Sequence, residues 1–330
     1  MKQLNVTVIG AGILGLWSAL TLARRGHKVR LLEASTEPFA LTASRWAGAM
    51  LAPYCEKEGA EPIVRELGLE ALEIWRATYP GIVSAGTLVV AASRDQSELR
   101  RFARMTDGHS TADAAGIARL EPDLADRFQT GLVYTDEAHM APLDAMAFLL
   151  DAVRQAGADV RFGADRNTAI DGLIVDCRGL AARDRLPTLR GVRGERILVR
   201  ARDVRLSRPV RLLHPRHPLY VVPWPNGNTM VGATVIESED PSPMTVRSAL
   251  ELLGLAYALH PAFGEAEIVE LGAGLRPAFP DNVPKVVVDR DRLHINGAFR
   301  HGFLLAPILG RIAADYLETG ARREQIVVDV

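Results

Sequence analysis

Cysteine is nearly absent from this chain: Cys55 and Cys177 are the two among 330 residues. Two thiols without metal-ligand spacing exclude both a disulfide scaffold and a structural zinc site, and a reducing cytoplasm is the expected compartment. An excess of one charge is missing too, since 39 basic against 40 acidic residues leave a net charge of −1. No global field therefore draws the protein onto nucleic acid or anionic lipid, and neither is an expected partner. Low-complexity linkers and internal repeats are absent. Long apolar runs are scarce, and the uncharged stretch Gln3–Ala23, between Lys2 and Arg24-Arg25, comes nearest. It imitates a signal peptide or a short membrane span, but Gly10, Gly12 and Gly15 punctuate it, and Asn5, Thr7, Ser18 and Thr21 are polar.

What remains is an ordinary globular composition, 48% hydrophobic and 24% charged. At ~150 residues per domain the length suggests two domains or one large one. Arginine outnumbers lysine 35 to 4, and twelve arginines against three acids between Arg178 and Arg216 give a local charge of +9. A solvated face explains such a stretch. It would also attract an anionic substrate, an acidic partner or RNA, although no aromatic residues interleave it as a base-stacking platform requires.

The chain opens with the β-branched run Val6-Thr7-Val8-Ile9, then Gly10-x-Gly12-x-x-Gly15, then an apolar-periodic helix closed by Gly26. Lys28–Leu32 reads as the next strand and ends at Glu33. This is a βαβ unit with a tight glycine turn, a helix N-terminus for a diphosphate and an acid placed for an adenosine ribose. Dinucleotide binding follows, but the motif does not separate FAD from NAD. Further on, helices are expected over 56–79, 95–105, 143–156, 246–259 and 303–318. Strands are expected over 86–92, 160–162, 173–175, 197–199, 220–222, 229–235 and 293–295. Strands of parallel-sheet type at both ends, with a β-rich insertion between, point to a nucleotide domain assembled from non-contiguous segments.

Three further stretches narrow the class. They are Ser44 to Pro53; Tyr220-Val221-Val222-Pro223 with Val231-Gly232-Ala233-Thr234; and Gly274-Leu275-Arg276-Pro277 with Asp281, Pro284 and Gly297 to Pro307. With the glycine fingerprint and Glu33 they make the whole chain resemble the D-amino-acid oxidase superfamily of FAD enzymes, most closely its glycine oxidase branch linked to thiamine biosynthesis. The resemblance implies an α/β fold: an FAD-binding Rossmann-like domain (1–81, 142–190 and 268–330) and an α+β substrate domain with an antiparallel sheet (82–141 and 191–267). It places Gly10, Gly12, Ile13, Leu14, Gly15, Glu33, Ala34, Thr42, Ala43, Ala47, Gly48 and Ala49 along FAD. Ala298, Phe299, Arg300, His301, Gly302, Phe303 and Leu304 should follow the flavin ring.

Arg276 is then expected to clamp a substrate carboxylate, with Tyr220 donating a second hydrogen bond and Arg300 close by. Glycine or another small amino acid would be oxidised to its imine, with O2 reduced to H2O2. The resemblance leaves open sarcosine or a D-amino acid as substrate, a quinone as electron acceptor, and the oligomeric state, a homo-oligomer included. No side-chain base is required if the amine binds deprotonated, and no metal site is expected. The helix beginning near Gly302 would aim its N-terminus at the charge gathered by reduced flavin.

The chain departs from the family in a short link between Gly163 and Gly172 and in Asp176-Cys177-Arg178-Gly179, where small residues are usual. Trp224 and Val287 also differ. So does Tyr54, a bulky residue expected to fill space over the flavin and favour a small substrate.

Overall fold

The computed structural model describes residues 3–165, 167–290 and 292–330. Its first sheet has seven strands in the order Val327–Asp329, Lys285–Asp289, Arg292–Asn296, Leu173–Asp176, Asn5–Ile9, Lys28–Glu33 and Asp159–Phe162. The pairs are parallel except Lys285–Asp289 with Arg292–Asn296. Val6, Thr7 and Val8 are all buried, as a central parallel strand covered on both faces requires. The helices Ile13–Arg24, Pro62–Thr78, Pro142–Gln155 and Gly302–Thr319 supply the covering apolar stripes. Leu16, Leu20, Leu67, Trp75, Leu149 and Leu309 are almost wholly excluded from solvent, each contributing roughly 1.5–3 kcal/mol relative to an exposed side chain. Trp75 meets Trp17 edge to face at 4.9 Å, and its Nε1 donates to the Phe303 carbonyl at 2.7 Å.

The second sheet has eight strands in the order Glu267–Ala278, Arg190–Arg200, Thr229–Gly232, Leu219–Pro223, Val210–Leu213, Thr87–Ala91, Thr130–Tyr134 and Ser110–Asp113. It is antiparallel apart from Val210–Leu213 beside Thr87–Ala91. Alternation sorts its two faces. Ile197, Val199, Val221 and Val231 pack under the helix Val246–Leu259, through Leu252, Ala256 and Leu259. Arg196, Leu198, Tyr220, Val222 and Met230 belong to the opposite face, where Leu198, Val222 and Met230 form a cluster with Ala141 and Trp224.

Three elements differ from the sequence expectation. The helix expected over 56–79 is two helices, Pro53–Glu56 and Pro62–Thr78, because each proline begins a helix well but lacks the N–H to continue one. The strand expected over 229–235 stops at Gly232. Residues 267–278, placed from 268 onward with the FAD-binding segments, form an edge strand of the second sheet. Gly272-Ala273-Gly274 has little intrinsic strand preference, and pairing along Arg190–Arg200 sets its conformation.

Candidate active site

A cavity of about 980 Å³ runs between the two sheets, at the upper end of the size range for small-molecule pockets. At one end lies the glycine turn. Gly10 has φ +99°, and a Cβ there would fall 2.7 Å from the Cys177 carbonyl oxygen; one on Gly15 would fall 1.8 Å from the Gly10 oxygen. The helix Ile13–Arg24 can therefore start hard against the first strand. Its first turn carries no acid, Gly12 caps it without a side chain, and the Ile13 N–H donates to Ser44 Oγ at 3.2 Å. A helix N-terminus that borders the cavity in this way fits a diphosphate.

Glu33 is fixed by two backbone donors, Ala11 N–H to Oε2 at 2.7 Å and Ser35 N–H to Oε1 at 3.0 Å. A carboxylate offers about four lone-pair sites, so acceptor capacity remains for ribose hydroxyls. Leu32, Ala34, Leu41, Thr168 and Ile170 extend this end of the cavity. The residues present thus fit an extended dinucleotide.

The other end is built on the glycine-bearing face of the second sheet. Arg276 stands opposite Val192 in the register, and its guanidinium lies over Gly194, where a Cβ would fall 2.1 Å from Cζ. Nη1 donates to the carbonyls of Thr234 and Arg193 at 3.1 and 3.3 Å. No carboxylate of the described residues lies within 4.0 Å of it. Burial and the neighbouring Arg300 lower its pKa, but a guanidinium keeps its charge in proteins. Trp46 occupies the same floor, over Gly272 and Gly274, with the guanidinium groups of Arg45 and Arg196 at 4.6 and 5.3 Å from its ring. Tyr220 lines the cavity, with the buried Arg211 guanidinium 5.8 Å from its ring centre.

Arg300 is an ion-pair partner. Its Nε and Nη2 lie 2.9 and 2.7 Å from Glu56 Oε2, while Glu56 Oε1 receives Arg211 Nη2 at 2.6 Å. Burial opposes the charge on Glu56, yet the guanidinium groups of Arg300 and Arg211 hold its carboxyl well below the usual carboxylate range. His301 precedes the helix Gly302–Thr319, with Nδ1 3.4 Å from Glu56. Burial pushes its pKa down to about 4, so the ring is neutral at pH 7.

Every site residue inferred from the sequence lines this cavity except Tyr54 and Gly15, the latter buried behind it as a packing residue. Ala49 and Phe299, both on the cavity wall, have left-handed backbones with φ 53° and 48°. Tyr54 is a correction. It is not among the cavity-lining residues and packs instead against Gly108 under the Arg65 guanidinium, 5.2 Å from its ring. The short helix Pro53–Glu56 turns Glu56, two residues on, into the cavity in its place.

The Arg178–Arg216 stretch makes no uncompensated basic stripe. All but Arg205 and Arg216 pair with carboxylates of the described residues, Arg193 with Glu195 and Arg208 with Glu121 among the least exposed. Both cysteines are buried and free, and burial raises the thiol of each. No metal-binding group occurs among the described residues, and no described helix is long and apolar enough to cross a membrane.

Sequence reasoning missed Glu56, Arg178, Arg292 and Asn296 on the cavity wall, and Arg211 behind it. Glu56 carries no local signal, because its partners Arg211 and Arg300 are distant in the chain. Arg178 and Arg292 share the buried carboxylate of Asp176, at 2.7 and 3.2 Å. The unusual Asp176-Cys177-Arg178 sequence was the available clue.

A glycine-turn βαβ unit and a fixed ribose-type acid, at one end of a cavity with a buried cation at the other, define a dinucleotide-binding fold. The family model for DAO, FAD dependent oxidoreductase, matches residues 5–316, and the chain belongs to that family. It uses FAD, which removes the nicotinamide alternative. A protein of Rhizobium etli described as a thiamine biosynthesis oxidoreductase, ThiO, is 49% identical over 325 residues, covering 98% of this chain and 99% of that one. Glycine oxidase of Geobacillus kaustophilus is 24% identical over 359 residues, covering 95% and 93%. The solved glycine oxidase of Bacillus cereus superimposes with a TM-score of 0.81 at 22% identity, over 97% of this chain and 96% of that one.

Proposed function

We propose that this chain oxidises glycine, or an amino acid of similar size, to its imine with O2 as the final acceptor, in the service of thiamine biosynthesis. The observation that carries this reading is Arg276, a buried guanidinium without a carboxylate partner among the described residues, facing the cavity that takes FAD. The name of the Geobacillus relative supports the substrate class, and that of the Rhizobium relative supports the link to thiamine biosynthesis.

Bound FAD supplies the hydride acceptor for the Cα–H. The chain's own residues hold the substrate still. Arg276 can take a carboxylate through two parallel charge-assisted hydrogen bonds, and Tyr220, which also lines the cavity, would donate another. Fixing the carboxylate fixes Cα, and orientation of this kind contributes at best ~7–11 kcal/mol towards the barrier. The amine must bind with its lone pair free, so the proton leaves before oxidation and no side-chain base is assigned to that step. The N-terminus of Gly302–Thr319 reaches the cavity through Gly302, Phe303 and Leu304, where unpaired N–H groups favour negative charge. Hydrolysis of the imine gives glyoxylate and ammonia, and O2 leaves as H2O2. The seven-stranded sheet and its helices hold FAD in this reading, and the eight-stranded sheet holds the substrate.

The test is the visible spectrum of purified FAD-loaded protein under anaerobic glycine. A flavin band near ~450 nm should bleach, and admitting air should restore it with formation of H2O2. In Arg276→Met the band should persist while kcat/KM falls on the order of 100-fold or more. Unchanged turnover in that variant overturns the clamp, and recovery with a dye but not with O2 overturns the acceptor.

A further inference from the structure

Among the arginines that line the cavity, Arg276 and Arg300 are in different electrical states. Arg276 has no carboxylate of the described residues within 4.0 Å. Arg300, on the same cavity wall, is occupied by Glu56 through Nε and Nη2 at 2.9 and 2.7 Å. Glu56 is not free to leave, since Arg211, buried behind it, grips its other oxygen at 2.6 Å, and His301 Nδ1 stands 3.4 Å away. Its side chain is only 12% exposed and lines the cavity.

We propose that Glu56 is a specificity-determining residue that sets how many carboxylates a ligand of this cavity carries. By neutralising Arg300 it leaves Arg276 as the carboxylate-binding cation, so that amines with one carboxylate are accepted and those with a second are refused. The proposal rests on Arg276 being the carboxylate clamp. Its physical basis is close-range repulsion. A second ligand carboxylate brought to Arg300 would meet Glu56 in a partly desolvated site, where like charges are poorly screened. Selectivity then comes from a charge that repels the wrong ligand, while the attraction for the right one is supplied elsewhere. Removing the Glu56 charge should turn Arg300 into a second anion-binding group and reverse the preference.

The experiment titrates the visible flavin band of the FAD-loaded enzyme with acetate, malonate and succinate. Wild-type enzyme should bind acetate at least ~10-fold more tightly than either dicarboxylate. In Glu56→Gln the ratio should move at least ~10-fold towards the dicarboxylates. The double variant Glu56→Gln/Arg300→Met should lose that gain. Glu56→Asp, which keeps the charge, should retain the wild-type ratio. Should Glu56→Gln not hold FAD, Glu56→Ala carries the same prediction.

Equal binding of acetate and malonate by wild-type enzyme overturns the proposal, as does an unchanged ratio in the neutral variants or a gain that survives loss of Arg300. Failure of the underlying reading is separately visible. Acetate would then leave the wild-type band unmoved, or would bind as well to Arg276→Met, and the proposal would fall with it. Acetate binding that Arg276→Met abolishes, beside a ratio indifferent to Glu56, overturns the proposal alone.

Discussion

The guanidinium of Arg276 lies on the bare backbone of Gly194, two residues along the neighbouring strand from its register partner Val192. The contact is close enough to be a requirement, since a Cβ on Gly194 would fall 2.1 Å from Cζ and Nη2 and 2.2 Å from Nη1.

Gly194→Ala should therefore push the Arg276 guanidinium off the sheet. A displacement near 1 Å can cost on the order of 100-fold in rate, so kcat/KM for glycine should fall by roughly 10- to 100-fold. The added methyl should also cost about 1–3 kcal/mol of stability. FAD content should remain normal, because the glycine turn is untouched. Steady-state kinetics beside the flavin absorbance check both parts, and wild-type kcat/KM would show that the contact does not position Arg276.

Gly15 gives the opposite dissociation. It does not line the cavity, yet a Cβ there would fall 1.8 Å from the Gly10 carbonyl oxygen. Gly15→Ala should lift the helix N-terminus from the first strand and weaken FAD binding by at least ~10-fold. Fluorescence titration of apoprotein with FAD measures it, and tight binding in the variant would dismiss the packing role.

His139 is buried at one end of the small strand pair joining Met50–Leu51 to Ala138–His139 and is not itself a cavity-lining residue. Burial pushes its pKa from 6.5 down to about 4. Because the folded-state pKa is the lower one, the unfolded chain binds more protons between these values. The stabilisation is complete above pH 6.5 and is lost as pH falls towards 4. The neutral ring then contributes on the order of 3 kcal/mol. His301, pushed to about 4 by the same cause, adds a second contribution over the same window. Thermal unfolding should show Tm falling between pH 7 and 4, and His139→Gln should flatten that slope. An identical slope in the variant would show that His139 stays neutral in neither state preferentially.

How much was legible beforehand depended on distance along the chain. The turn from Gly10 to Gly15 and the acid at Glu33 belong to one local unit, so spacing and residue type carried them. The floor under Arg276 did not show, because Gly194, Gly272 and Gly274 become one surface only when strands 190–200 and 267–278 pair. Tyr54 and Glu56 make the same point within three residues. The family resemblance suggested Tyr54 for the cavity, and the short helix beginning at Pro53 directs Glu56 there instead.

By itself the sequence determined the dinucleotide turn, the family and many of the residues that meet at the cavity, Arg276, Tyr220 and Arg300 among them, since each rests on local backbone requirements or on a motif read in order. The tertiary structure alone decided their electrical states. Arg276 and Arg300 are the same side chain on paper. Glu56, held from behind by Arg211, neutralises one and leaves the other without a counter-charge. Charge pairing acts through space over a few ångströms, and residues 56, 211, 276 and 300 come within that range only in the folded chain.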